Sequence, residues 1–383
     1  MVFCFTGNKR IFNHYPRQES SKTADHNLLW HLPTSGDMFG EHRNTRVGID
    51  GEQFTINGRP TYEGRVHEGT PLDGLLFNAR FVHACFDDAN PETIHNWAYP
   101  DTGEWDPDRN VAEFLSAMPM YREAGLRAIA TNLQCGSPEG YSNEQPWIVS
   151  AFDETGELKP EWVNRFEAVI ERADDLGMVV ILGLFYFGQD GVLADEDAVK
   201  QAVDNTLNWL FDREYTNIVI EIANECDLGY DHDIIRTPRT TELIEQVAEL
   251  SSDGFRYPVG TSLSGGKVPA DDIVEASDVI LLHGNGVEDP DRIREMVREV
   301  RARPSYEPMP IVFNEDDHFC FGSDCNMLAA IESRASWGYF DPGENDYWHG
   351  YQSPPVRWDA NTARKKAFFG YLSGVTGPES GPN

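Results

Sequence analysis

Two glutamates in this 383-residue chain each follow a short, β-branched run: Ile218-Val-Ile-Glu-Ile-Ala-Asn224-Glu225 and Ile311-Val-Phe-Asn314-Glu315. Such runs read as strands buried on both faces of a parallel sheet, so each carboxyl group falls at a strand end, where the chain turns toward solvent. Two carboxyl groups facing each other across a cleft are what glycoside cleavage needs. One protonates the leaving oxygen, and the other meets the oxocarbenium-like carbon. A separation near ~5 Å would mean a covalent intermediate and retention, while a wider gap would admit water and mean inversion. The plainer reading is that both glutamates form ion pairs at loop entrances.

Other polar residues fall at equivalent places. Arg80 lies inside an apolar run, where a guanidinium is costly unless paired, and pairing with Glu315 would keep that carboxylate ionised. His83, Asn132, Tyr186 and Gln189 end runs and are candidates to touch ligand hydroxyls, as are His283 and Asn285 at the end of the sixth run. Asp316-Asp317-His318, beside Glu315, opens a rival reading as a hard-cation site serving a metal-assisted hydrolase. Against it, the first strand has no HxH motif, and no lysine ends a strand for Schiff-base chemistry. The cluster then reads as hydrogen-bonding support or as a contact, through His318, with an outlying part of the ligand. No metal or organic cofactor is expected. The aromatics Trp97, Tyr99, Trp105, Tyr141, Trp147, Tyr347, Trp348, Tyr351 and Trp358 fall mostly in loops, where exposed rings around a cleft would stack on sugars.

The elements that must position these groups alternate strictly from residue 75 onward. The apolar runs are Leu75–Ala84, Arg127–Leu133, Met178–Phe187, Asn217–Ala223, Tyr257–Ser262, Val279–His283, Met309–Asn314 and Trp337–Phe340. Between them lie amphipathic stretches at 111–124, 161–176, 195–211, 240–250, 291–301 and 326–334, a shorter one within 265–278, and a last one at 362–372. Asp108 and Asp289-Pro290 read as helix starts, and Gly125 and Gly177 as stops. Eight strands, each followed by a crossover, specify an α/β fold of the (β/α)8 barrel type, whose active sites sit at the C-terminal strand ends. An open doubly wound sheet would carry a glycine-rich loop after its first strand, and Phe86-Asp87-Asp88 is not one. Residues 1–46 read as an irregular arm and 47–383 as a single catalytic domain. That domain opens with a hairpin, turning at Asp50-Gly51 and Asn57-Gly58, that plugs or flanks the barrel bottom.

Asn224-Glu225 ending the fourth strand, with Glu315 ending the seventh, resembles the clan A retaining glycoside hydrolases, which include cellulase-like and mannanase-like barrels. The resemblance spans roughly residues 47 to 375 as an order of strands and motifs, and no particular family within the clan is assigned. It implies that Glu225 is the acid/base, Glu315 the nucleophile and Asn224 the group that hydrogen-bonds the sugar 2-hydroxyl. It further implies that His283 and Asn285 position the nucleophile and that Trp337 forms the floor of the sugar site. Arg80 departs from the pattern, since the clan's comparable arginine often sits one strand later. The implied activity is hydrolysis of β-linked oligo- or polysaccharide by double displacement. The alternatives are a non-catalytic carbohydrate-binding barrel and the metal-assisted hydrolase.

The formal charge of −33, from 64 acidic and 31 basic residues, argues against nucleic acid and anionic membranes as partners. It reads either as a soluble acidic surface or as adaptation to high salt, which screens self-repulsion. The six cysteines (Cys4, Cys85, Cys135, Cys226, Cys320 and Cys325) form no regular framework and read as thiols. The N-terminal Met-Val-Phe-Cys-Phe is too short for a signal h-region and no run is long enough to span a membrane, so a cytoplasmic location is expected.

Overall fold

The computed structural model describes residues 39–140, 142, 144–319, 321–322 and 324–377. The expectations for most of the N-terminal arm, for Tyr141 and for the thiols of Cys4 and Cys320 lie outside them. Eight parallel strands form the expected barrel: β1 (Asn78–Arg80), β2 (Ala128–Asn132), β3 (Val179–Tyr186), β4 (Ile218–Asn224), β5 (Val259–Gly260), β6 (Ile280–His283), β7 (Ile311–Asp316) and β8 (Ser336–Tyr339). The ladder runs without interruption from β5 through β4, β3, β2, β1, β8 and β7 to β6. Between β5 and β6 the wall is closed by Asp278 N–H donating to the Val259 carbonyl at 2.8 Å. Gly260 packs so closely on the Val279 carbonyl that no side chain fits there.

Helices α1 (Pro107–Glu123), α2 (Pro160–Asp175), α3 (Glu196–Asp212), α4 (Thr240–Glu249), α5 (Asp271–Ala276), α6 (Pro290–Arg301), α7 (Asn326–Glu332) and α8 (Ala363–Thr376) fill the crossovers and coat the barrel. Their starts are chemical. Asp195, Asp289 and Thr362 accept from the first free amides of α3, α6 and α8, and Pro160 and Pro290 occupy first-turn positions. α1 begins earlier than expected, because the cap is Asp106, accepting from Arg109 N with Pro107 behind it, and Asp108 is already inside the first turn. Gly125 and Gly177 take φ values of 112° and 68° just after α1 and α2, which a residue with a Cβ adopts only at a cost.

The N-terminal segment is a three-stranded meander, Val47–Asp50, Gln53–Ile56 and Arg59–Pro60, rather than a single hairpin. Asn57-Gly58, with φ of 54° and 76°, makes its second turn. Val47 and Phe54 insert into a cluster with Ala128, Ile181, Val219, Leu281 and Val312, so the meander plugs the bottom of the barrel. The interior is therefore apolar below and polar above. Strand alternation carries the polarity upward, from Val219 to Glu221 on β4, from Leu281 to His283 on β6 and from Ala130 to Asn132 on β2. Among the described residues no helix is long and apolar enough to cross a membrane.

Candidate active site

Glu315 owes its orientation to an irregularity. On β7, Phe313 pairs with Trp337 of β8 but Asp316 with Tyr339, and Leu282 of β6 pairs with Phe313 but His283 with Glu315. One extra residue on β7 makes a bulge. Both Asn314 and Glu315 thereby turn inward, while Asp316 turns outward to Trp337 and Asn326. Glu225 stands one residue beyond β4 with φ of 55°, left-handed for a residue with a Cβ, and its N–H donates to Ser262 Oγ at 3.0 Å.

The two carboxyl groups meet around one imidazole. His283, fully buried, has Nδ1 3.0 Å from Glu225 Oε1 and Nε2 3.9 Å from Glu315 Oε2. Arg80 Nε lies 2.6 Å from Glu315 Oε2, and Asn285 Nδ2 donates to the other oxygen at 2.6 Å. Arg80 Nη2 also donates to Asn224 Oδ1 at 2.8 Å, which fixes the amide orientation and leaves the Asn224 Nδ2 hydrogens for another acceptor. Glu225 and Glu315 keep 13% and 7% of their side chains exposed, enough for both to be reached from the barrel mouth.

The electrostatics follow from burial. Desolvation pushes the Glu315 carboxyl up, Arg80 and His283 pull it back, Glu225 adds to the rise, and the net direction is upward. Burial opposes the charge on His283, but Glu315 and Glu225 outweigh it and its pKa is raised. Arg80 follows the same logic, with Glu315 and Glu221 outweighing its desolvation.

Several expected contacts are placed elsewhere. Trp337 is not the floor of the site. Ser336 and Gly338 take the inward positions of β8, so Trp337 faces the helix layer, 1% exposed, with its ring against Phe368 of α8 and Nε1 donating to Asp316. His83 is fully buried beneath the loops with Nε2 on the Gly136 carbonyl, and burial lowers its pKa to about 4. Asn132 is fully buried beside Gly183, whereas Tyr186, 9% exposed and packed under Gly136, stays close enough to Glu315, Arg80 and Glu225 for their charges to act on it. Gln189 ties loops together through Val149 N and the Trp147 carbonyl. His318 lies on the outer lip, its Nδ1 2.9 Å from Asp317, beside a groove of about 780 Å3 shared with Glu288, Phe319 and Arg364.

The acidic cluster is already occupied by protein donors. Asp316 accepts from Trp337, Asn326 and His318 N, and Asp317 accepts from Gly286 N and His318. The loop aromatics are mainly packing anchors: Trp97, Tyr99, Trp147, Tyr351 and Trp358 are buried, and among those described only Trp348 is exposed, at nearly half of its surface. Sequence reasoning missed Glu221, Ser262 and Asn314. The available signal was Glu221 itself, a charge in the middle of an apolar run, the same anomaly that singles out Arg80.

No protein-family model matches this chain, and no curated protein does. Solved structures do. A family 5 glycoside hydrolase from Bacteroides vulgatus aligns at 12% identity and a TM-score of 0.53, over 88% of this chain and 72% of that one. A family 5 mannosidase from Rhizomucor miehei aligns at 14% identity and a TM-score of 0.51, over 89% and 99%. Another Bacteroides vulgatus structure aligns at 12% identity and a TM-score of 0.53, but this chain spans only 62% of its length. At these identities the likeness is one of architecture: the chain has the (β/α)8 barrel fold seen in solved glycoside hydrolases.

Proposed function

We propose that this protein is a retaining glycoside hydrolase acting on β-linked oligo- or polysaccharide, with Glu315 as nucleophile and Glu225 as acid/base. The observation that carries the reading is that carboxyl groups from β4 and β7 reach the two nitrogens of one buried histidine, at 3.0 and 3.9 Å. Two carboxyl groups this close to one imidazole support a single sugar ring as the group they act on together. Arg80, His283 and Asn285 oppose the effect of burial on Glu315 and favour its anionic form. Glu315 attacks the anomeric carbon while Glu225 gives its proton to the departing oxygen. Glu225 then takes a proton from water, whose oxygen attacks the same carbon and frees Glu315. Asn224, held by Arg80, supplies its amide N–H groups to a ring hydroxyl. The fold shared with family 5 glycoside hydrolases supports the same class.

A panel of aryl glycosides and polysaccharides, followed by a 2-deoxy-2-fluoro glycoside, tests the reading. The expected result is turnover with retained anomeric configuration and a covalent mass increment on the peptide carrying Glu315. An inverted product, or labelling of another residue, would remove the assignment.

A further inference from the structure

Glu221 sits on β4 directly beneath the carboxylate pair, fully buried and pointing into the barrel. Its Oε1 accepts from Ser262 Oγ at 2.7 Å and from Asn314 Nδ2 at 3.1 Å. Its Oε2 lies 4.0 Å from Arg80 Nη1, and His283 Nε2 is 4.0 Å from Oε1.

Two routes lead from this buried carboxyl group to Glu225. Ser262 Oγ accepts the Glu225 N–H at 3.0 Å and has one hydrogen to give, which the 2.7 Å contact assigns to Glu221. The chain of donation runs from Glu225 N–H through the Ser262 hydroxyl to Glu221, and it pins a backbone whose φ of 55° needs support. The second route is His283, whose Nε2 faces Glu221 and Glu315 while Nδ1 meets Glu225 Oε1. Against burial, Glu315, Glu225 and then Glu221 favour the imidazolium, whose Nδ1–H commits Glu225 Oε1 as an acceptor. The transferable proton is then left on Oε2.

We propose that Glu221 is a positioning residue for glycosidic-bond cleavage, holding the Glu225 backbone through Ser262 and the Glu225 carboxyl through His283. The proposal rests on the assignment of Glu225 as acid/base. The titratable and charged groups facing His283 and its partners include Glu221, Glu225, Glu315, Arg80 and Tyr186, with Lys267 acting on Glu225 from the loop after β5.

Glu221→Gln keeps the shape and removes the charge. The first readout is the 15N NMR titration of the His283 imidazole in the substrate-free protein. Its apparent pKa should fall in the variant, because Glu221 is one of the groups that raise it. The second is kcat and KM on aryl glycosides of graded leaving group. Loss should be roughly tenfold or more in kcat/KM, which reports formation of the covalent intermediate, for poor leaving groups that need the acid, and under about threefold for dinitrophenolate. A purely structural role would depress all substrates alike. An unmoved His283 titration, or an equal loss across leaving groups, overturns the proposal. If Glu221→Gln fails to fold, Ser262→Ala cuts one route alone and must show the same leaving-group split; its absence overturns the proposal equally. Wild-type protein inert on every glycoside, with a His283 titration that still moves in Glu221→Gln, would fail the functional reading while leaving the Glu221–His283 coupling standing.

Discussion

Arg80 Nε lies 2.6 Å from Glu315 Oε2, so a buried ion pair spans from β1 to β7 over the intervening strand β8. The inward positions of β8 are Ser336 and Gly338, and Gly338 leaves no room for a Cβ between Asn78 and the Phe313 carbonyl. Arg80→Met should unbalance the site in a signed way. Without the guanidinium, burial acts on Glu315 less opposed, and its pKa rises further. Activity that needs ionised Glu315 is lost as pH falls through that pKa, so the acid limb of kcat/KM should move to higher pH. Stripping one partner from a buried pair should also cost about 3–5 kcal/mol of stability, read by denaturant titration. Arg80→Lys should not restore the limb, because a point charge cannot serve Glu315 and Asn224 together. An acid limb that stays in place in Arg80→Met would contradict this account.

The two carboxyl groups should fail differently. Glu315→Gln should lower kcat by roughly a thousandfold or more and leave the melting curve near wild type. Glu225→Ala should largely spare formation of the covalent intermediate with dinitrophenyl glycosides, and azide should restore release of the product as a glycosyl azide. Steady-state rates with and without azide, together with the configuration of the azide product, check both. Equal loss on good and poor leaving groups in Glu225→Ala, with no azide effect, would speak against its role.

Asp316 couples the back of the site to pH. Burial pushes its carboxyl up to about 7, with Trp337, His318 N and Asn326 pulling the other way. A carboxyl raised on folding contributes its full stability below its unfolded pKa of about 3.9, and that contribution is lost as pH rises toward 7. Wild type should therefore lose stability relative to Asp316→Asn between pH 4 and 7, and run parallel to it above that range. Urea unfolding of both proteins at four or five pH values reads the difference. Parallel curves from pH 4 upward would show that Asp316 is ionised throughout.

The net charge of −33 predicts a salt response. At molar ionic strength the screening length falls to about 3 Å, and self-repulsion among separated surface carboxylates is suppressed. The melting temperature should rise between 0.05 and 3 M KCl. Identical melting points would assign the acidity to solubility alone.

Much of this was legible along the chain. The apolar runs located all eight strands, and Glu225 and Glu315 stood out because each ends a β-branched run. Arg80 was conspicuous as a cation in an apolar segment, and the partner expected for it, Glu315, is the one it has. The misplacements have two causes. The resemblance implies Trp337 as the floor, but alternation faces it toward α8, and a run of four residues does not say which face is inward. The loop aromatics are polar-looking in context yet buried, because long loops over a barrel mouth need a core of their own.

The chain by itself determined the alternation of strand and helix, the caps that start the helices and the pair of glutamates at the strand ends, since these depend on side-chain type and on contacts within a few residues. Only the folded barrel decided which of those side chains meet. Simple alternation from Val312 would have aimed Glu315 at the helices. The extra residue at Asn314 turns it inward, and that bulge exists because β7 must stay in register with β6 and β8 at once. Likewise, nothing near Glu221 in sequence names His283, Ser262 or Asn314 as its neighbours; closing the sheet into a cylinder brings Ser262 and Asn314 into hydrogen bonds with it and His283 to 4.0 Å.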